Sequence, residues 1–379
     1  MNIIIAPDSF KETLEAKEVA ACIEKSLQKV FPNANIEKIP LADGGEGTVK
    51  TLIESNKGQL ITLEVQDPLG RDISSYYGII DNGTTAIIEM ATASGLELLK
   101  EKEKNPLKTS TYGFGQLIDH ALKKDVKKFI LGLGGSATND AGIGMLQALG
   151  TKFFDKNNQE IANPVKEINQ IVAIDISNLV KKFKNTTINV ACDVKNPLCG
   201  EDGASYIFGK QKGANKEMIK ELDNKLSYFA DLCEKTFNKS TQNIEGAGAA
   251  GGLGFALVTF LNANLQSGIE LIMESVNLEE KIKVADLVIT GEGKMDKQSI
   301  QGKTPIGVAK LAKKYDKKVI AIAGCLDDGY EIVLEHGVDA VFSCTAKSEY
   351  FETIKKNASK NLELTTLNIA NLLNINLKY

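Results

Sequence analysis

Short runs of apolar residues alternate, at both ends of this chain, with stretches in which apolar positions recur every three or four residues. Asn2 to Ala6 is a run of the first kind and predicts a strand, while Val19, Ile23 and Leu27 mark one face of a helix over Ala16 to Val30. A strand over Ile36 to Leu41 and a helix over Thr48 to Ser55 follow. The last third repeats the rhythm: strand Ala285 to Thr290, helix Pro305 to Tyr315, strand Lys318 to Ala323, helix Tyr330 to His336 and strand Ala340 to Cys344. Strands alternating with helices predict a doubly wound, mostly parallel α/β sheet.

The middle has a different pattern. Tyr76 to Ile80 and Thr84 to Met90 flank Asp81-Asn82-Gly83, a strong hairpin signal, and Phe153 to Ile161 brackets another turn. The simplest reading is two domains: a Rossmann-like α/β domain from residues 1–65 and 284–379, and a mixed α/β domain inserted over 66–283. An active site in the cleft between them is expected. No internal repeat, low-complexity linker or heptad pattern supports a scaffold or solenoid.

Composition narrows the function classes. With 379 residues and 43% hydrophobic content the chain can bury two cores, and a net charge of -4 leaves no footprint for nucleic acid or an anionic membrane. No apolar run reaches the roughly 18 residues of a membrane span, and Met1 to Ala6 runs straight into Pro7-Asp8, unlike a signal peptide. A cytoplasmic protein is expected. Six cysteines are scattered without a Cys-x-x-Cys pair, so they read as reduced thiols. Only His120 and His336 are present, which leaves proton chemistry to carboxylates and lysines. Arg71 is the single arginine and follows the Asp67-Pro-Leu-Gly70 turn, where it either forks onto a ligand or braces the turn.

Candidate chemistry gathers after predicted strands, where open α/β sheets bind ligands. The richest segment is Gly132-Leu-Gly134-Gly135-Ser136-Ala-Thr138-Asn139-Asp140-Ala-Gly142, between a strand over Lys127 to Leu133 and a helix over Asp140 to Leu149. Exposed amides in such a turn favour an anion, and phosphate is the expected guest. Asp8, Ser9 and Lys11 follow the first strand, and Asp43 and Glu46 lie in a glycine-rich loop after the second that suits magnesium. Asp193, at the end of a strand over Thr187 to Cys192, is placed to be a base or a metal ligand. Gly291, Glu292, Lys294 and Asp296 form the last cluster, ahead of Gly302-Lys303-Thr304-Pro305. Gly302-Lys303-Thr304 ends like a Walker A loop, but Lys297 stands where that motif needs its first glycine. Gly246-Ala-Gly248-Ala-Ala-Gly251 fits the dinucleotide pattern, yet the polar Lys239 to Glu245 predicts no strand before it.

Seven strings in this order resemble the bacterial glycerate kinase family of the glycerate 2-kinase type. They are Ile5-Ala-Pro-Asp-Ser-Phe-Lys11, Pro40-Leu-Ala-Asp-Gly-Gly-Glu-Gly-Thr48, Asp67-Pro-Leu-Gly-Arg71, Gly132 to Gly142, Gln211-Lys-Gly-Ala214, Gly246 to Gly254 and Thr290-Gly-Glu-Gly-Lys-Met-Asp296. They span the chain. Glu12 stands where the family often has glycine, and Lys294 where arginine is usual, which keeps the charge and loses the fork. The resemblance implies ATP-dependent phosphorylation of D-glycerate, to 2-phosphoglycerate rather than 3-phosphoglycerate, by a monomer or homodimer using ATP and Mg2+. Phosphoryl transfer asks for positioned charge more than covalent chemistry. On this reading Asp193 is the general base, with Asp43 and Glu46 or Glu292 and Asp296 holding magnesium. Lys11 and Lys294 contact phosphate or the glycerate carboxylate. Asp8, Ser9, Arg71, Gly134, Gly135, Ser136, Thr138, Asn139 and Gly291 line the substrate and phosphate sites. A nicotinamide dehydrogenase and a noncatalytic sugar-acid binder are the alternatives; the first needs a strand before Gly246, the second releases no ADP.

Overall fold

A computed structural model of the chain describes residues 1–41, 48–300, 302–345, 347 and 350–375, except for the side chains of Glu54 and Phe351. Strand β1 (Asn2–Ile5) opens the fold, and α1 (Ala16–Val30) follows with Val19, Ile23 and Leu27 fully buried, the face that the apolar spacing predicts. The Glu18 carboxylate accepts from the Glu15 amide at 2.9 Å and closes the first turn of α1. Strand β2 (Asn35–Lys38) completes the N-terminal contribution to this unit.

The chain then enters a second body through α2 (Thr48–Ser55), β3 (Gln59–Gln66), β4 (Asp72–Ile80) and β5 (Thr85–Glu89). The Asp-Asn-Gly turn forms as expected: β4 and β5 are antiparallel, and Asp81 and Asn82 take left-handed dihedrals with φ of 52° and 54°. Next come α3 (Ala91–Ser94), α4 (Tyr112–Leu122), β6 (Lys128–Gly132), α5 (Ile143–Ala148), β7 (Lys152–Phe154), β8 (Ala173–Asp175), α6 (Ser177–Phe183) and β9 (Thr187–Ala191). The body closes with α7 (Ala204–Phe208), α8 (Lys216–Phe237), α9 (Ala249–Leu261), β10 (Asn264–Gln266) and the start of α10 (Gly268–Ser275). Among the described residues its main sheet runs β10-β9-β6-β5-β4-β3, parallel from β10 to β5 and antiparallel beyond. Phe114, Phe129, Phe229 and Phe255 are buried in its core.

The rest of the chain returns to the first body as α11 (Leu278–Lys283), β11 (Leu287–Met295), α12 (Thr304–Lys313), β12 (Lys318–Leu326), β13 (Ala340–Ser343) and α13 (Phe351–Leu373). The segment Tyr330–His336, expected as a helix between the last two strands, is wound as a tighter 3₁₀ helix. Here every strand pair is parallel, in the order β13-β12-β11-β1-β2. The order reverses between β1 and β11, and the carboxyl ends of strands at such a reversal are where open sheets place their ligands.

Both domain boundaries move from their predicted positions. The chain divides into two compact units, residues 1–43 with 272–379, and residues 44–271. The predicted break at 65 falls inside β3, which is paired along its whole length with β4, so α2 and β3 go with the second body. The predicted break at 284 falls after α11, which packs on α12 in the first.

Candidate functional site

In the first body, β1 and β11 run side by side with Ile5 opposite Ile289, so Asp8, just past the end of β1, lies beside Gly291 and Glu292 where β11 runs on past β1 at the reversal. The Asp8 amide donates to the Gly291 carbonyl at 2.8 Å, and the Asp8 carboxylate accepts from the Ser9 amide at 2.6 Å and from the Thr304 hydroxyl at 2.8 Å. Gly291 is a packing glycine: a Cβ there would lie 2.1 Å from the Ile322 carbonyl oxygen of β12. Ser9 is half-buried and Lys11 exposed, and among the described residues no carboxylate pairs with the Lys11 ammonium. Glu292 is only 7% exposed, and burial pushes its carboxyl above the usual range despite the Ser299 hydroxyl and Lys303, whose ammonium lies 3.2 Å from one carboxylate oxygen. Its other oxygen is buried with no hydrogen-bond partner. Lys294 is paired with Asp327 at 2.6 Å and lies 3.7 Å from Asp296, while the Asp296 carboxylate accepts from the Gln298 amide at 2.8 Å.

Lys303 and Thr304 thus belong to this cluster, although the sequence pattern that contains them is not a phosphate loop. Their signal was only their place: two polar residues ahead of Pro305, in the first turn of α12, at the foot of the reversal. Asp43 and Glu46 lie outside the described residues. Among the described residues no group of three or more acids, cysteines or histidines is arranged to hold a metal. The orphaned Glu292 oxygen nevertheless fits a hard cation, and magnesium commonly takes just one or two protein carboxylates, the rest of its shell being water and phosphate oxygen.

In the second body, β6 and β9 are adjacent and parallel with Gly132 opposite Ala191, so the glycine-rich loop and Asp193 leave the sheet at the same end. Asp193 is exposed, and one of its oxygens accepts from the Gly268 amide at the start of α10 at 3.0 Å. The helix after the loop begins at Ile143, three positions later than predicted, because Ala141 and Gly142 take left-handed dihedrals with φ of 50° and 70°. Asp140 is therefore a loop residue that braces the turn from inside. Its carboxylate, 1% exposed, accepts from the Thr111 amide and hydroxyl, both at 2.8 Å, and from the amides of Gly142 at 3.1 Å and Gly144 at 3.2 Å. Burial pushes its carboxyl up against those four donors.

Gly134 and Gly135 are exposed and Ser136 half-buried, whereas Thr138 and Asn139 are buried. The amides of Gly134, Gly135, Ser136, Thr138, Asn139 and Asp140 donate to no acceptor among the described residues. A run of unpaired amides in a glycine-rich turn is what an anion-binding loop presents. Asn139 donates its side-chain amide to the Ser205 hydroxyl at 2.8 Å. The Gly246 to Gly251 segment, which no strand precedes, packs under this loop: a Cβ at Gly251 would lie 2.1 Å from the Thr138 carbonyl oxygen. That close approach accounts for the glycine spacing without a dinucleotide. Arg71 braces its turn, with Nε 2.5 Å from Asp67, and pairs with Glu103 at 3.0 Å.

One buried cation lies in a string that the sequence singled out, Gln211 to Ala214, but to which it gave no role. Lys212 is 2% exposed and its ammonium donates to the Thr138 carbonyl at 2.7 Å. Nothing in the polar stretch around it foretells burial.

Comparison with known proteins gives one consistent result. A family model described as the glycerate kinase family matches residues 3–374. A glycerate kinase of Haemophilus influenzae is 50% identical over 373 residues, covering 98% of this chain and 99% of that protein. The glycerate 2-kinase of Escherichia coli is 49% identical over 378 residues, covering 100% of this chain and 99% of that protein. A crystal structure assigned as a candidate glycerate kinase 2 from Salmonella typhimurium LT2 matches with a TM-score of 0.90 at 46% identity, covering 98% of each chain.

Proposed function

Since the chain belongs to the glycerate kinase family and is an enzyme of it, we propose that it transfers the γ-phosphoryl group of ATP to D-glycerate, at the 2-hydroxyl, in the cytoplasm. The observation that carries the assignment of phosphate is the set of unpaired amides between Gly134 and Asp140, all but that of Ala137, which donates to the Ser94 carbonyl, after a parallel strand in a chain of this family. Ser136 and these amides would hold phosphate oxygens.

Asp193 takes the role of general base. Its carboxylate accepts the proton of the attacking hydroxyl while the Gly268 amide holds its other face in place. Lys11, whose ammonium has no carboxylate partner among the described residues, and Lys294 meet the negative charge of phosphate or of the glycerate carboxylate. Glu292 and Asp296 would hold magnesium, with Asp43 and Glu46 as the other candidate pair, and a bound magnesium ion would neutralise phosphate charge. Asp8 and Ser9 sit beside Gly291 at the foot of the same sheet, where they line the substrate. Arg71 keeps its guanidinium on Asp67 and Glu103 and serves the site by holding its turn.

The test is a coupled assay with D-glycerate, ATP and Mg2+, with the product identified by carbon-13 and phosphorus NMR. ADP release that depends on both D-glycerate and Mg2+, with phosphate on the 2-hydroxyl, is the expected result. Binding of D-glycerate without ADP release would replace the kinase by a binding protein. Asp193→Asn should lower kcat by about 10²- to 10⁴-fold with an unchanged dependence on Mg2+. Turnover near that of the wild type would remove Asp193 from the role of base.

A further inference from the structure

Lys212 is the least expected side chain in the molecule. Lysine is almost never fully buried without a charged partner, because removing an ammonium from water costs far more than one neutral hydrogen bond returns. Here the side chain is 2% exposed, its one hydrogen bond goes to the Thr138 carbonyl at 2.7 Å, and no carboxylate lies within ion-pairing distance among the described residues. Asp140 is the charged group that acts on it, from further away, and burial lowers the ammonium to about 7 in spite of that carboxylate. A costly arrangement of this kind persists where it serves the site.

The place of the bond says what it serves. The Thr138 carbonyl lies in the middle of the glycine-rich loop, is bonded by Lys212 and packs closely against Gly251, whose own carbonyl accepts from the Ala141 amide at 3.0 Å. Around it the Thr138 hydroxyl and the Asn139 side-chain oxygen are buried without partners; Asn139 and Asp140 are anchored through their side chains, and among the described residues the Lys212 ammonium makes the one hydrogen bond to the Thr138–Asn139 peptide group itself. An ammonium on a carbonyl also draws electron density through the peptide and sharpens the positive end of the next amide, that of Asn139, which no acceptor among the described residues uses.

We infer that Lys212 is a positioning residue for phosphoryl transfer: its buried ammonium fixes the Thr138 carbonyl and so sets the conformation of the Gly134 to Asp140 loop that holds the phosphate. The inference rests on the reading of that loop as the phosphate cradle. Lys212 acts through the Thr138 carbonyl and, at 2% exposure, presents almost no surface of its own.

Two variants and one ligand test it. Lys212→Met removes both charge and donor, and Lys212→Gln keeps a donor without the charge. Lys212→Met should lower kcat/KM for ATP by at least about tenfold while KM for D-glycerate stays within about twofold, and Lys212→Gln should recover part of the loss. Both variants folded and both within about twofold of the wild type in every constant would overturn the inference. Sulfate, which does not titrate in this range, provides a readout that no merely structural lysine moves. Its affinity for the wild type, followed by calorimetry, should weaken by about tenfold between pH 6 and pH 9 as the ammonium is lost, and should be flat for Lys212→Gln. A flat profile in the wild type overturns the inference even if neither variant folds. Wild-type enzyme that phosphorylates glycerate but binds no sulfate would sink the cradle and this role of Lys212 together, whereas enzyme that binds sulfate and lacks kinase activity would sink the proposed reaction alone.

Discussion

Single residues in this protein carry opposite relations to pH, and Lys212 gives the clearest case. Its folded value of about 7 lies below that of a lysine in water, so the unfolded chain binds more protons than the native one between that pH and the ordinary lysine range. Stability contributed by this group therefore rises with pH across that window, by at most about 1.4 kcal/mol per pH unit, and its full penalty is present below it. Urea midpoints of the wild type and Lys212→Met, compared from pH 6 to pH 9, should converge or cross in favour of the wild type as pH rises; a difference that does not change with pH would mean that the lysine titrates as if exposed. The sequence made some residues legible at this scale and hid others. Arg71 drew notice as the only arginine, and its fork is indeed used, on Asp67 and Glu103. Lys212 stood in one of the family strings but was given no role, because a lysine between glutamine and glycine reads as solvated, and burial of a long polar side chain is decided by what packs over it.

At the scale of elements, strands were easier to read than the junctions between strand and helix. β6 and β9 fall within a residue or two of their predicted ends, since an apolar run between polar residues has few other uses. The start of α5 was misplaced because Ala141 and Gly142 adopt left-handed dihedrals that periodicity does not report, and an alanine there gives no warning at all. The glycines of α9 were visible, but not their purpose, which is to let one backbone approach another. Gly251 has φ of 69° and faces the Thr138 carbonyl, so Gly251→Ala would press a methyl group into that oxygen and force an unfavourable dihedral. The expected outcome is a loss of about 1–3 kcal/mol in stability together with a larger fall in kcat/KM for ATP than for D-glycerate. Chemical denaturation and steady-state kinetics of the purified variant check both parts.

The whole molecule consists of one body made from a continuous stretch and one made from both ends of the chain. That interrupted plan was legible from the change in rhythm along the sequence. Its borders were not, because α2 and β3 carry the same alternation as the elements before them and declare their allegiance only through pairing with β4. Continuity has a measurable consequence. A fragment covering residues 48–275 contains the complete six-stranded sheet and its buried phenylalanines, so it should show a cooperative thermal transition by itself. Gradual, probe-dependent melting of that fragment would show that its core is not self-sufficient.

The other body has no such independence, and the reason lies in its central strand pair. Thr290 of β11 donates its hydroxyl to the carbonyl of Ala6, 284 positions away, and the final helix α13 packs on α1, with Lys25 and Glu363 2.7 Å apart. During synthesis β1 can therefore pair early with β2 on one edge, whereas β11, its neighbour on the other edge, is made 284 positions later. The middle of the polypeptide can finish folding while one edge of β1 still waits, with the apolar run Asn2 to Ile5 open on that side to wrong partners until β11 is made.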